Sequence, residues 1–478
     1  MKIITYTNVR RTTRIGTVCL CFLVGIALAG SGWRVTTWLL ASLPILAWIA
    51  CKKRAAFVVP ACMCIGLLLG VSRGAVTQNQ LDIYGDYVGH TVTIFGIVND
   101  DSHYNGKGQR DMLLTNVTVQ GRSPPGAVRI TTLSFVQPQR GDKVMVTGKL
   151  YSGFGNYQAA IYFGTVTVVA TQPDVFSVAR RQVVAGLYSV LPDTQASLAV
   201  GILLGVKTQL PANLTAQLNT LSLTHIVVAS GYNLTVLIRL ARRLFEKRSK
   251  FQTVAAGTLL MAGFIAVTGL GASMGRAMLV TALSLVAWYY GRHIHPVILL
   301  LVSAAITAAV NPLYIWGDLG WWLSFLAFAG VLVVAPLLQA VIWRKRKPKF
   351  IGQLIVETVA AEVMTIPILL CSFGNLSAAG LLANLLVVPL VPLVMLLTAI
   401  AGMLNFMAPL AATVALPASW LLSYILHTMN ALAQLKWAIA NFTISWQTMV
   451  ALYLVIGFCA WCMWRCTRHD FLAANVVE

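Results

Sequence analysis

Residues 377–404, "SAAGLLANLLVVPLVPLVMLLTAIAGML", run for 28 positions without one charged side chain. A bilayer core takes about 20 apolar residues of helix, and backbone in lipid must satisfy its own hydrogen bonds. Similar runs recur near 15–31, 35–50, 55–71, 221–238, 252–270, 276–290, 294–311, 319–342, 354–371, 409–433 and 447–464. The chain is therefore a polytopic α-helical membrane protein. Composition agrees: 58% of the 478 residues are hydrophobic and 10% charged, with too little charge for a soluble surface. Pro389 and Pro392 lie inside the longest run and predict a broken or kinked helix. "SLAVGILLG" (197–205) is too short to cross and suits an interfacial or re-entrant helix.

Basic clusters set the orientation. Arg10, Arg11 and Arg14 precede the first span, and Lys52, Lys53 and Arg54 mark the next inside loop. "RLARRLFEKRSK" (239–250), "RKRKPK" (344–349), Arg465 and Arg468 fall on the same side if the spans alternate, which is the positive-inside arrangement. Both termini are then cytoplasmic, and the basic N-terminus reads as an uncleaved anchor because further spans follow at once. The expected division is a three-span segment (1–71), an extracytoplasmic domain (72–190), a helical domain (191–465) and a cytoplasmic tail (466–478). The net charge of +21 has two readings. One is loop topology alone; the other is a polyanionic partner, nucleic acid or anionic membrane lipid.

Composition changes within 72–190. "HTVTIFGIV", "RDMLLTNVTV", "GAVRITTLSFV", "GDKVMVTGKL" and "YQAAIYFGTVTVVA" alternate apolar and polar residues between Gly, Pro and Asn breaks. Five short strands of this kind predict a small inserted β-barrel of the OB-like type, with a sandwich as the alternative. None of the nine cysteines falls in this stretch, so no disulfide staples it. Cys462 and Cys466 share a helix face without partners at zinc spacing, and no metal or other cofactor is expected.

Polar residues inside the apolar runs constrain function more sharply. His225, Asn233, Arg276, Asp318, Glu357, Glu362 and Asn384 lie there, with Ser230 and Ser324 nearby. An ionisable group at the centre of a span costs about 2.5–3.5 kcal/mol on insertion scales. Any one of them reads as a helix-to-helix hydrogen bond; the set, spread over several spans, predicts a polar lining. In "LTHIVVASGYNLTVLI", Gly231 frees backbone groups that His225, Ser230 and Asn233 would accompany in a hydrated cavity.

"LAVGILLGVKTQLPANLTAQLNTLSLTHIVVASGYNLTVLI" resembles the signature block of the ComEC competence-domain family. "GASMGRAMLVTALSLVAWYYGR", "NPLYIWGDLGWWLSFLAFAGVL" and "ETVAAEVMTIPILLCSFGNLSAAGLLANLLVVPLVPL" resemble its later blocks, in order. The family's usual "SGLH" is "SGYN" here, so Asn233 stands where His is usual. Many relatives also carry a C-terminal metallo-β-lactamase-like domain. No H-x-H-x-D-H motif occurs and little sequence follows the last span, so a short form without that domain is expected.

The resemblance implies a bacterial inner-membrane channel for single-stranded DNA in natural transformation. It also implies a cytoplasmic ATP-driven motor and an extracytoplasmic DNA receptor or nuclease as partners. The polar lining would be His225, Ser230, Gly231, Asn233, Arg276, Asp318, Ser324, Glu362 and Asn384. On the barrel, Arg110, Arg122, Arg129, Lys143 and Lys149, with Tyr151, Phe154 and Tyr157, are the residue types that track a single strand. "GILLGVKT" (201–208) is one residue short of a P-loop between its glycines and follows no strand. No nucleophile–base set or supported carboxylate pair occurs, so no enzymatic activity is expected. A secondary transporter or lipid-handling protein on the same scaffold is the alternative, since Arg276, Asp318, Glu357 and Glu362 would suit a small charged substrate.

Overall fold

A computed structural model describes residues 11–33, 41–51, 55–99, 102–104, 109–133, 136, 138–155, 157–171, 175–206, 210–227, 249–268, 272–291, 294–344, 350–404, 408–435 and 438–468. In chain order these begin with helices α1 (Arg11–Gly30), α2 (Leu43–Cys51) and α3 (Ala55–Tyr87). The strands β1 (Thr91–Val98), β2 (His103–Tyr104), β3 (Arg110–Val119), β4 (Val128–Thr132), β5 (Lys143–Ser152), β6 (Ala159–Tyr162) and β7 (Thr165–Ala170) follow. Next come α4 (Val175–Val190), α5 (Asp193–Leu204), α6 (Ala212–Thr220), α7 (Thr224–Val227), α8 (Lys250–Thr268) and α9 (Ala272–Tyr289). Then α10 (Pro296–Val310), α11 (Leu313–Gly317), α12 (Leu319–Ala329) and α13 (Ala335–Trp343) lead to α14 (Phe350–Phe373). The chain ends in β8 (Asn375–Ser377), α15 (Gly380–Val387), α16 (Val391–Met403), α17 (Ala408–Ala433), β9 (Ile439–Asn441) and α18 (Trp446–Thr467). Two compact units result, Met1–Asp174 with Ile298–Trp322, and Val175–Val297 with Leu323–Glu478.

In the first unit, α1 lies against α3 at a distance that only small residues allow. A Cβ added to Gly66 would sit 2.8 Å from the Cβ of Cys21, and one on Gly70 would sit 3.0 Å from the Cα of Gly25. Small residues at such seams let helix backbones approach in lipid. Arg73 of α3 donates from Nε to the carbonyl of Ala309 (2.8 Å) and from Nη2 to that of Val310 (3.1 Å), satisfying the end of α10. The Trp316 indole donates to the carbonyl of Ile26 at 2.8 Å, tying α11 to α1.

All five strand-like stretches form strands. β1 pairs with both β3 and β5, and the ring β1–β3–β4–β6–β5 closes on itself. β4 and β6 run parallel, the other ring pairings antiparallel. This closed five-strand ring is an OB-like barrel and excludes a sandwich. The last stretch divides at Phe163, whose φ is +59°. β6 and β7 then share one edge of β5, at 150–152 and 143–147 respectively. Inward residues such as Val92, Ile94, Met112, Leu114, Val128, Ile130, Val146, Leu150 and Ile161 fill the core. α3 runs on past the apolar run to Tyr87, and Tyr84, 3% exposed, joins the barrel core from below.

The second unit is helical. Among the described residues of the whole chain, seven helices are long and apolar enough to cross a membrane. They are Arg11–Gly30, Phe57–Tyr87, Leu319–Trp343, Ile351–Phe373, Gly380–Met403, Pro409–Ala433 and Trp446–Thr467. α18 buries none of its residues and exposes Phe458, Trp461 and Trp464, a surface suited to lipid. The expected break appears as a 3₁₀ turn, Val388–Leu390, between α15 and α16. A π-helical turn, Gly330–Val334, joins α12 to α13. There a Cβ on Gly330 would lie 2.9 Å from the Cα of Ala361 in α14.

The segment 197–204 lies in α5, whose residues Ala196 to Leu204 are all buried in an apolar core. An interfacial helix keeps a polar face; α5 has none over those nine positions, so of the two expected placements the interfacial one is excluded and a short helix packed inside the bundle remains.

Candidate nucleic-acid interface and intramembrane polar groups

Strand register builds an aromatic and cationic row on the outside of the barrel. Leu113, Arg129 and Ala160 are partners across β3, β4 and β6, and Ala160 pairs in turn with Tyr151 of β5. The neighbouring row is Asp111, Thr131 and Tyr162. Strand side chains alternate, so the inward Met112, Ile130, Leu150 and Ile161 put Asp111, Arg129, Tyr151 and Tyr162 on the outer face, where Asp111 is itself covered, at 4% exposed.

The contacts form a chain. Lys149 Nζ lies 6.0 Å from the Tyr151 ring centroid, and the Tyr151 and Tyr162 rings are 5.4 Å apart at 57°. The Tyr157 phenol lies close enough to that of Tyr162 to influence it. The Arg129 guanidinium lies 5.7 Å from the Tyr157 centroid. Arg129 also donates from Nη2 to Asp111 Oδ2 at 2.5 Å, while Thr131 Oγ1 donates to Asp111 Oδ1 at 2.7 Å. That bond to the Asp111 carboxylate holds Arg129 above the ordinary guanidinium value. Burial, then the Tyr157 hydroxyl, pushes the Tyr162 phenol up, so its ring stays neutral. Tyr151 and Tyr162 are each 41% exposed and Phe154 is 85% exposed.

Of the barrel candidates, Arg129, Lys149, Tyr151 and Tyr157 come together here. Phe154 shares the loop between β5 and β6 with Tyr157. Three candidates lie elsewhere. Arg110 is buried, with Nη1 donating to Ser102 Oγ at 3.2 Å, which withdraws it from the exposed cations. Arg122 sits in the turn after β3, bridged to Val119, and Lys143 starts β5, six residues from Lys149. Sequence reasoning missed Asp111 and Tyr162. Alternation in "AAIYFG" already turns Tyr162 outward; nothing local marks Asp111, whose partners come from another strand.

The intramembrane polar residues separate into distinct environments. Arg276 of α9 is 8% exposed, with its guanidinium 5.7 Å from the Phe325 ring and 5.2 Å from that of Phe328. Its Nε has no hydrogen-bond partner among the described residues. Cation–π contact returns about 2 kcal/mol at a desolvated site, below the insertion cost quoted above, so a positive charge is held here at a net expense. Asn384 of α15 donates from Nδ2 to Glu362 Oε1 of α14 at 2.9 Å, joining two of the candidates. Glu357 accepts from Gln353 Nε2 at 2.7 Å. Asp318 Oδ1 accepts from the Trp321 backbone N–H at 3.1 Å, so it caps the start of α12. Ser324 is half-buried on α12. His225 is exposed on the short α7, its Nδ1 2.9 Å from the Ser222 carbonyl. Ser230, Gly231 and Asn233 lie outside the described residues.

Asp111 and Arg129 lie on the second and third ring strands and Tyr157 in the loop between the fourth and fifth, parts of the face that OB folds offer to oligonucleotides, while Lys149, Tyr151 and Tyr162 extend the row onto the fourth and fifth strands. No curated protein and no solved structure matches the chain. A family model described as "Competence protein" matches residues 202–466. That match covers more than half of the sequence, including α9, α14 and α15 with Arg276, Glu362 and Asn384. The chain belongs to the ComEC-type competence protein family.

Proposed function

We propose that this protein is an inner-membrane channel that takes up single-stranded DNA during natural transformation, with its barrel outside the membrane receiving the strand. The observation that carries this reading is the row Lys149–Tyr151–Tyr162–Tyr157–Arg129 on an OB-like barrel. Aromatic rings there offer faces to unpaired bases, each stacked base contributing about 1–3 kcal/mol, while cations follow the phosphates. Family membership independently ties the chain to competence.

The helical unit suits the next step. Arg276 holds positive charge among aromatic rings inside the bundle, where a polyanion needs potential to offset its own desolvation. An inside-negative membrane opposes inward movement of phosphate by about 2.3 kcal/mol per charge per 100 mV. A separate cytoplasmic ATP-driven motor would supply that work, and an extracytoplasmic receptor or nuclease the single strand. Basic inside loops such as 344–349 would meet anionic lipid headgroups. The test is deletion of the gene, followed by a transformation assay that scores surface-bound and internalised DNA separately. Retained surface DNA with lost internalised DNA is the expected result; unchanged internalisation overturns the reading.

A further inference from the structure

Glu362 and Asn384 are joined by one hydrogen bond where their chemistry has room for two. Asn384 Nδ2 donates to Glu362 Oε1 at 2.9 Å, while Asn384 Oδ1 is buried without a hydrogen-bond partner among the described residues. Asn384 as a whole is only 8% exposed. A carboxylate accepts and cannot donate, so an ionised Glu362 meets the amide N–H and leaves the amide oxygen orphaned. A buried acceptor left so costs about 1–3 kcal/mol.

Among the described residues no donor meets Asn384 Oδ1. Around the same helix pair runs an apolar groove of about 160 Å³ lined by Ile355, Thr358, Leu381, Leu382 and Leu385. The Thr358 hydroxyl donates to the Leu354 carbonyl, and that of Thr365 to Ala361 and Glu362 carbonyls. The turn at Gly330–Val334, α13 and α15, all packed on α14, carry no titratable side chain. α18 brings Tyr453, whose hydroxyl donates to the Met364 carbonyl at 3.0 Å. It also brings Arg465, stacked 5.2 Å from the Trp461 centroid, and Cys459, Cys462 and Cys466. α14 itself adds Cys371 and Glu357, the latter bonded to Gln353.

We propose that Glu362 and Asn384 form a proton-binding site inside the helical unit, in which a proton taken from water onto Glu362 Oε2 is donated to Asn384 Oδ1. A hydronium ion gives up the proton and leaves as water; no other bond breaks. Carboxylic acid and amide then close an eight-membered ring with two hydrogen bonds, and every polar atom of the pair facing the seam is satisfied. Loading the site ties α15 to α14 by two bonds, and unloading leaves one. α15 continues directly into the 3₁₀ break at Val388–Leu390, so proton occupancy acts on the weakest point of that span. The site stands independently of DNA handling.

Thermal unfolding of the full chain in lipid nanodiscs, read at neutral and acidic pH, tests it. Glu362→Gln is isosteric with the protonated acid and closes the same ring permanently. It is expected to melt above wild type at neutral pH and to lose the gain that wild type shows on acidification. Asn384→Leu removes the acceptor and should lose that gain without the rise at neutral pH. An infrared difference spectrum of wild type should show the carbonyl band of a protonated carboxylic acid growing at low pH, absent from Glu362→Gln. Equal pH dependence in wild type and Glu362→Gln overturns the proposal. So does a wild-type melting point raised by sodium or potassium at neutral pH, which would make a metal cation the missing partner.

Discussion

Arg129 and Asp111 meet diagonally across β4 and β3, Nη2 2.5 Å from Oδ2, and the same guanidinium lies 5.7 Å from the Tyr157 centroid. Much of the Arg129 charge is thereby engaged before any strand arrives. In the proposed interface Arg129 would align the tyrosines, whereas Lys149, 6.0 Å from the Tyr151 centroid at the other end of the row, would meet phosphate. Asp111→Asn retains an acceptor for Thr131 and releases the Arg129 charge. Single-stranded DNA binding should then become more salt-dependent, with the slope of log K against log salt steepening by up to about 0.7. The Arg129 side chain is 39% exposed but that of Asp111 only 6%, so the loss of stability should reach about 1–3 kcal/mol, the range of a buried charged hydrogen bond. A slope that does not change would remove Arg129 from the strand's path.

Tyr151→Ala and Tyr162→Ala should each weaken single-stranded DNA binding by about 1–3 kcal/mol and leave the salt slope alone. Lys149→Ala should do the reverse, flattening the slope by about 0.7 with a smaller change in affinity at moderate salt. Because the two rings touch, the double tyrosine variant should lose less than the sum. Filter binding or fluorescence anisotropy with the solubilised full chain measures all of these, and a tyrosine variant that alters the slope instead would contradict a stacking role.

The raised Tyr162 phenol bears on pH. A phenol pushed above its ordinary value remains neutral from neutral into mildly alkaline solution, so no negative ring faces the phosphates. The affinity difference between wild type and Tyr162→Phe should therefore be constant over that range. A gap that widens with rising pH would mean that Tyr162 ionises on the surface.

Arg276→Met keeps an unbranched side chain over Phe325 and Phe328 and removes the charge. Replacing a buried charge by an apolar group of similar size is often neutral or stabilising, so membrane-resident protein should stay at wild-type abundance or rise. Internalised DNA should fall at least tenfold if the charge serves the polyanion. Uptake that tracks abundance would reduce Arg276 to packing.

Orientation is testable without DNA. With native cysteines replaced, a cysteine at Ser123, exposed in the turn after β3, should react with an impermeant thiol reagent in whole cells. One at Lys347 in the basic loop should not. The opposite pattern would invert the arrangement drawn from the basic clusters.

Much of this structure is local in the sequence and therefore readable there. Period-two alternation locates all five ring strands because each buries one face, and Pro389 marks the 3₁₀ break in its run, although Pro60, Pro367 and Pro417 lie inside continuous helices. Three features escaped for physical reasons. Hydropathy ends near residue 72, yet α3 continues through Gln78, Asn79 and Asp82 to Tyr87, because polarity alone does not stop a helix. The left-handed Gly89, φ +87°, follows that end. Arg110 and Asp111 are adjacent, and only strand pairing decides that one is buried on Ser102 while the other anchors Arg129. Glu362 and Asn384 are 22 residues apart with a β-strand and a turn between them, so their bond exists only in three dimensions.

The continuity of α3 has a mechanical consequence. At about 1.5 Å per residue its 33 residues make a rod of roughly 50 Å, longer than the ~30 Å hydrocarbon core. Its far end is built into the barrel core through Tyr84. In the uptake role proposed above, tension on a captured strand would pass through Tyr84 into the rod. The glycine seam at Gly66 and Gly70, where α3 meets α1, would then carry that load. A bulky residue there would act on the grip of a domain several turns away, by tilting its mount and leaving its surface chemistry intact.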